Sequence, residues 1–209
     1  EEKYTDAVSK VKTLESKYND KELLFNIEGA ILHRAGHLEK SVIAYKKALK
    51  LNPNYAEAIF NLGLVYKDQA EKDQALGCFR KAIEITSKFT AAHYNKGVVH
   101  HELGQIDDAI TEYKKAIELN PKYTDALYNI GLAYKEKGEI KTALDSFNMV
   151  LTLDPEYIAA LNNKGNILQR FGDLDGALLN FQKIIKIQPN YAKAYNNIGT
   201  VFQEKGDMQ

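Results

Sequence analysis

A single interval organises this chain. Glycines stand at Gly29, Gly63, Gly97, Gly131, Gly165 and Gly199, each 34 residues after the last. Pro53, Pro121, Pro155 and Pro189 share a second 34-residue grid, with Ser87 in its empty slot. Ala75, Ala109, Ala143 and Ala177 lie on a third, extended backward by Ser41 and Ala7, and Tyr45, Phe79, Tyr113, Phe147 and Phe181 lie on a fourth. A fixed period of this size means stacked copies of one supersecondary unit, none of which can bury its apolar face alone. It overrides the one or two globular domains that 209 residues would otherwise suggest.

One copy, residues 124–155, shows the unit. Leu127, Ile130, Gly131 and Tyr134 recur at helical spacing, and Gly138 then supplies the left-handed conformation at which a helix ends. Ile140, Ala143, Leu144, Phe147, Val150 and Leu151 form a second apolar face, closed by Pro155, whose ring cannot continue a helix. The reading is two antiparallel helices of about 14 residues, each roughly 21 Å long. Gly131 inside the first helix costs about 1 kcal/mol against alanine. Its recurrence predicts a close crossing of the two helices at Gly131 and Ala143, with Phe147 and Tyr134 filling the space around it.

The Gly, Tyr/Phe, Ala and Pro grids resemble the tetratricopeptide repeat (TPR) family over almost the whole chain. The resemblance implies an all-α fold, a right-handed superhelical α-solenoid of antiparallel helix pairs. The array reads as five full repeats at 22–55, 56–89, 90–123, 124–157 and 158–191. Residues 192–209 form the first helix of a sixth, and residues 3–18 the second helix of a preceding half repeat. Both ends would then leave an apolar face uncovered. Truncation from a longer array accounts for that, and so does head-to-tail self-association through residues 3–18 and 192–206, because Ala7 continues the alanine grid. The opening residue, Glu1, suits a fragment or processed chain. Repeat two departs from the pattern at Ala70, where the turn glycine belongs, and at Ser87. A different turn, or longer helix ends, and a local change of curvature are expected there.

Composition excludes several functions. Lys and Arg total 28, as do Asp and Glu, and no basic run occurs, which argues against nucleic acid as a partner. No apolar run approaches the roughly 20 residues that cross a bilayer, so no membrane partner is expected. One cysteine, Cys78, and no glycosylation sequon suit a reducing, cytoplasmic setting. Enzymatic signals fail in turn. The stretch HHELGQ at 100–105 evokes a zinc-protease motif but carries Gln105 where the second histidine must be. Adjacent His100 and His101 diverge around a helix, a helix end separates His33 from His37, and no phosphate-cradling loop occurs. No catalytic residue, metal or cofactor is expected.

A fifth grid carries the functional reading. Asn61, Asn95, Asn129, Asn163 and Asn197 repeat every 34 residues, two before each packing glycine and so away from the core face. The TPR resemblance places this face on the concave surface of the superhelix. There the row resembles the asparagine ladder in the TPR arm of O-GlcNAc transferase, which implies an extended polypeptide held by amides that donate and accept. Phe60, Tyr94 and Tyr128 precede the row, and Leu64, Val98, Leu132 and Asn166 follow it one turn on. Lys67, His101 and Lys135 add a mildly basic edge that Asp68, Glu102 and Glu136 nearly cancel. The carboxylate clamp by which some TPR proteins bind chaperone tails is not matched. Asn162 stands where that clamp wants lysine, and its third repeat is missing. The expected function is a non-catalytic scaffold binding an extended peptide segment of a partner protein in its concave groove. The alternatives are an assembly subunit using its ends or convex face, and the substrate-recruiting arm of a larger enzyme.

Overall fold

The structure, a computed structural model, describes residues 9–11, 13 and 20–207. Most of the 3–18 segment therefore lies outside the described residues; residues 9–11 and 13 are helical, and Val11 is buried. Every regular element among the described residues is an α-helix: α1 (Lys21–Arg34), α2 (Leu38–Leu51), α3 (Ala56–Asp68), α4 (Lys72–Ile85), α5 (Thr90–Glu102), α6 (Ile106–Leu119), α7 (Thr124–Glu136), α8 (Ile140–Leu153), α9 (Ile158–Arg170), α10 (Leu174–Ile187) and α11 (Ala192–Asp207).

The chain divides into two compact units, Glu1–Gln105 and Ile106–Gln209. In the first, α1 pairs with α2 and α3 with α4, while α2 leans on α3 and α4 on α5. In the second, α7 pairs with α8 and α9 with α10, with α6 against α7, α8 against α9 and α10 against α11. Each unit is thus a solenoid of helix pairs, with first and second helices in separate rows. First helices also touch across repeats, α1 with α3 and α3 with α5 in one unit, α9 with α11 in the other.

The grid glycines explain how tightly a pair closes. The ring of the second-helix aromatic lies against the glycine of the first. A Cβ added at Gly29 would meet the Tyr45 ring at 2.7 Å, at Gly63 the Phe79 ring at 2.7 Å, at Gly131 the Phe147 ring at 2.8 Å and at Gly165 the Phe181 ring at 2.5 Å. All are distances that real Cβ atoms do not tolerate. Tyr45, Phe79, Tyr113, Phe147 and Phe181 are the largest fully buried side chains. The alanine grid serves the same crossing. Where Ser41 replaces alanine, its buried hydroxyl donates to the Gly29 carbonyl at 2.8 Å and so is satisfied.

The connections follow from residue chemistry. Gly36, Gly104, Gly138 and Gly172 turn the chain at the ends of first helices at φ between 73° and 83°. Between repeats, Asn52, Asn120 and Asp154 accept from the backbone N–H two residues on, at 3.2, 3.1 and 3.0 Å, around the prolines that follow them. Repeat two corrects an expectation. Its turn does not differ, because Ala70 itself takes the left-handed conformation at φ 61°. Ala70 N–H donates to the Lys67 carbonyl and Glu71 N–H to the Tyr66 carbonyl, the same bonds that Gly104 and Gln105 make to His101 and His100. Nor do the helix ends run longer: α3 spans 13 residues, as do α5, α7 and α9. The loop at Ser87 is likewise closed by Phe89 N–H on the Thr86 carbonyl, as Tyr55 N–H closes on Asn52. Tertiary packing on both sides imposes the turn and the alanine bears the strain.

Candidate protein-binding face

The asparagine row lies along the first helices, but its amides are less open than their helical phase suggests. Asn95 is only 8% exposed, and Asn61, Asn129, Asn163 and Asn197 are half-buried. Their hydrogen bonds run from repeat to repeat. In the first unit, Asn61 Nδ2 donates to Asn26 Oδ1 at 3.1 Å, and Asn26 Nδ2 to the Tyr55 hydroxyl at 3.4 Å. Asn95 Nδ2 donates to the Ala91 carbonyl one turn back at 2.9 Å, which leaves Oδ1 to accept from Lys67 Nζ at 3.0 Å.

The second unit repeats this with the same offset. Asn163 Nδ2 donates to the Ala159 carbonyl and to the Tyr128 hydroxyl, each at 3.0 Å, and Oδ1 accepts from Lys135 Nζ at 2.6 Å. One repeat further, Asn197 Nδ2 bridges Asn162 Oδ1 and Asn166 Oδ1, both at 3.2 Å, while Gln169 Nε2 donates to Glu204 at 2.8 Å. Asn166 and Asn196 are exposed. The face is therefore a polar lattice that ties consecutive first helices together and keeps spare capacity toward its open side. Such lattices are rigid when every buried member is satisfied, and among the described residues none of the buried side-chain polar atoms lacks a partner.

Two aromatics flanking the row sit between neighbouring rings. Phe60 sits between Phe79 of its own pair and Phe89 of the next repeat, with ring centroids 5.7 and 4.8 Å away. Tyr128 sits in the same way between Phe147 and Tyr157, at 5.8 and 5.2 Å. These rings pack in the seam between repeats and are half-buried. Leu64, Tyr94, Val98, His101 and Leu132 are half-buried beside them. Sequence reasoning overlooked one contributor, the aromatic that precedes each first helix: Tyr55, Phe89, Tyr123, Tyr157 and Tyr191. The signal was present, since these too are 34 apart. Burial, then Asp125, pushes the Tyr157 hydroxyl up to about 12, and burial foremost also raises Tyr55 and Tyr128. These phenols are thus neutral donors and acceptors at physiological pH.

Profiles of the TPR repeat match residues 29–69, 99–138 and 170–206, more than half of the chain, and further tetratricopeptide-repeat profiles match 60–117 and 124–157. The chain belongs to the tetratricopeptide repeat family. Its architecture is that of a protein–protein interaction scaffold. No curated protein sequence matches it. Among solved structures it is similar to MamA, at 28% identity over 79% of this chain and 96% of that one, with a TM-score of 0.73. It is also similar to YrrB, described as a TPR protein with an unusual peptide-binding site, at 27% identity over 88% of this chain and 95% of that one, with a TM-score of 0.71. PilF of Pseudomonas aeruginosa, at 19% identity over 90% of this chain and 87% of that one, shares the fold with a TM-score of 0.79.

Three further reactive groups of this TPR chain, His100, His33 and Cys78, are engaged in structure. His100 shares a hydrogen bond with Gln105 at 2.6 Å and His33 with Asp68 at 2.7 Å. Cys78 lies beside Gly63 under the α3–α4 crossing, where burial raises its thiol to about 11 against the opposing pull of Lys81 and Lys46. Among the described residues no group of three or more His, Cys, Asp or Glu could share a metal ion, and no helix is long and apolar enough to cross a membrane.

Proposed function

We propose that this chain is a non-catalytic interaction scaffold whose first-helix face forms a groove for an extended segment of a partner protein. The observation that carries the reading is the lattice itself: in each unit, side chains from consecutive first helices meet across repeats on one face. A face built this way offers register along a chain laid across it. Half-buried Leu64, Val98 and Leu132 offer apolar contact, the exposed amides of Asn166 and Asn196 offer main-chain hydrogen bonds, and Phe60, Tyr94 and Tyr128 offer half-buried rings. In the first unit Asn61 and Asn95 form its floor, with Lys67 and His101 along one side; in the second, Asn129, Asn163 and Asn197 form the floor, with Lys135 along one side. That YrrB, a protein of similar fold, is described as having a peptide-binding site supports the reading.

The test is selection of peptides from a random displayed library on the wild-type chain, followed by affinity measurement on variants. Leu64→Arg with Leu132→Arg should weaken the selected peptides at least tenfold, whereas Lys46→Glu with Asn148→Arg, both on exposed second-helix positions, should not. Equal binding by both variants would remove the groove from the mechanism.

A second reading, self-association, is favoured by one observation. Gly199 has open space where Gly63, Gly131 and Gly165 meet a ring, and α11 exposes Tyr195 at 50% and Phe202 at 56%. Ala7 and Val11 hold second-helix phase in the sequence, so the 3–18 segment of a second copy would cover that face. Sedimentation of Phe202→Glu against wild type decides it: a loss of concentration-dependent mass supports the contact, and monomeric wild type rules it out.

A further inference from the structure

In four first helices the side chain at one 34-residue grid position, His33, Lys67, Lys135 or Gln169, reaches forward into the next repeat. His33 and Gln169 end on carboxylates, at Asp68 and Glu204. Lys67 and Lys135 do not. Each ammonium ends on an asparagine oxygen, Asn95 at 3.0 Å and Asn163 at 2.6 Å. Among the described residues no carboxylate lies within ion-pair reach of either, although Lys72, Lys115, Lys137 and Lys205 all have one. The neighbouring Asp68 is turned to His33, and Glu102 to Lys72 at 3.4 Å.

The geometry holds these two ammoniums in place. Asn95 and Asn163 each spend their Nδ2 on the backbone carbonyl four residues back, which fixes the amide so that Oδ1 faces the lysine. An ammonium has three donors, and the asparagine takes one. The stem is half-buried, so part of the entropy of ordering a lysine is already spent. A half-buried cation facing only neutral dipoles gains most from a carboxylate, through a short charge-assisted bond. Each lysine also lies three residues beyond a half-buried leucine, Leu64 or Leu132, about 4.5 Å along the helix axis. An extended chain advances about 3.3 Å per residue, so a ligand matching both features carries an acidic side chain one or two positions from an apolar one.

We infer that Lys67 and Lys135, held by Asn95 and Asn163, are the specificity determinants of the first-helix face, one in each unit, and that the segment this face takes is acidic and apolar in composition. The inference rests on the groove reading and sharpens it: the asparagines at these two positions act through the lysine they aim.

The test uses two synthetic peptide libraries of equal length and apolar pattern, one with Asp and Glu at its polar positions and the other with Asn and Gln. Anisotropy titration of the full chain should show at least a tenfold preference for the acidic library, shrinking as salt is raised. Lys67→Gln with Lys135→Gln should abolish the preference, Lys67→Arg with Lys135→Arg should keep most of it, and Lys46→Gln with Lys186→Gln, the same charge change on exposed second-helix lysines, should leave it intact. Thermal melts establish that the variants are folded, and the arginine pair decides the matter if the glutamine pair is not. Equal binding of both libraries by wild type, lost in Leu64→Arg with Leu132→Arg, would overturn the inference and leave the groove standing. Binding of neither library would overturn both.

Discussion

Gly165→Ala should destabilise this protein, although alanine is the better helix former. In α9 the substitution gains about 1 kcal/mol of helix propensity. Against that, the new Cβ would lie 2.5 Å from Phe181 Cε1 and 2.8 Å from Cζ, and carbon atoms prefer separations of roughly 3.5–4.0 Å. The ring must retreat by about 1 Å. It is fully buried within a cluster of Leu161, Leu174, Ala177, Ile184, Ala194 and Val201, which leaves little room for that movement. Overpacking of this kind costs about 1–3 kcal/mol, so the expected net loss is about 1 kcal/mol and reaches about 2 if α9 and α10 must separate. Gly199 provides the internal control. It occupies the same grid position in α11 with nothing within 4 Å, so Gly199→Ala should stabilise by about 0.5–1 kcal/mol. Urea unfolding followed by far-ultraviolet circular dichroism measures both. Phe181→Leu, which removes the ring edge, should relieve most of the Gly165→Ala penalty and give a favourable coupling of about 1 kcal/mol in a double-mutant cycle. Equal or greater stability of Gly165→Ala, or a destabilising Gly199→Ala, would refute the close-crossing argument.

Ala70→Gly should stabilise by up to about 1 kcal/mol, read as a higher urea midpoint, because glycine relieves the left-handed strain at φ 61° at some cost in chain entropy. Asn95→Ala should cost about 1–2 kcal/mol, since it removes the acceptor of Lys67 and a buried amide bonded to Ala91, again read from urea unfolding. Native Cys78 should react with iodoacetamide at pH 8 about 100-fold more slowly than in the urea-unfolded chain, since burial moves its thiol from 9.0 to about 11 and only thiolate reacts. Burial raises Tyr45 as well, to about 12, so folding favours the protonated form of both groups. Their contribution is intact below pH 9 and is lost as pH climbs through 11 and 12; a urea midpoint that stays constant to pH 11.5 would contradict it.

The fold was legible because each grid is a physical necessity repeated. A glycine under a ring, an alanine at a crossing and a proline past a helix end recur at one interval, and each copy confirms the others. Ala70 was misjudged because local propensity speaks for one residue, whereas the helices on either side had already fixed the turn. The asparagine row is legible as a grid, but its helical phase alone does not show what a side chain reaches, and Asn95 is buried where that phase suggests an open face. Asn95 and Asn163 bond to lysines 28 residues earlier, Lys67 and Lys135. That partnership depends on how one repeat is set against the next, an offset the sequence of a single repeat does not contain. Asn26 escaped notice for the same reason. It lies off the asparagine grid, in the slot that Phe60 fills one repeat later, yet it accepts from Asn61. The Tyr55 and Tyr157 grid is readable at the same 34-residue interval, but it lies just before the helices and outside their apolar periodicity.

The central claim is that a ligand lies along the first helices, and side-chain amide resonances report on it directly. In a 15N-labelled sample titrated with a selected acidic peptide, the NH2 signals of Asn61, Asn95, Asn129, Asn163 and Asn197 should shift together and saturably, while those of Asn148 and Asn180 on the second helices stay in place. Saturable binding that moves Asn148 and Asn180 and leaves the row unchanged would contradict the account.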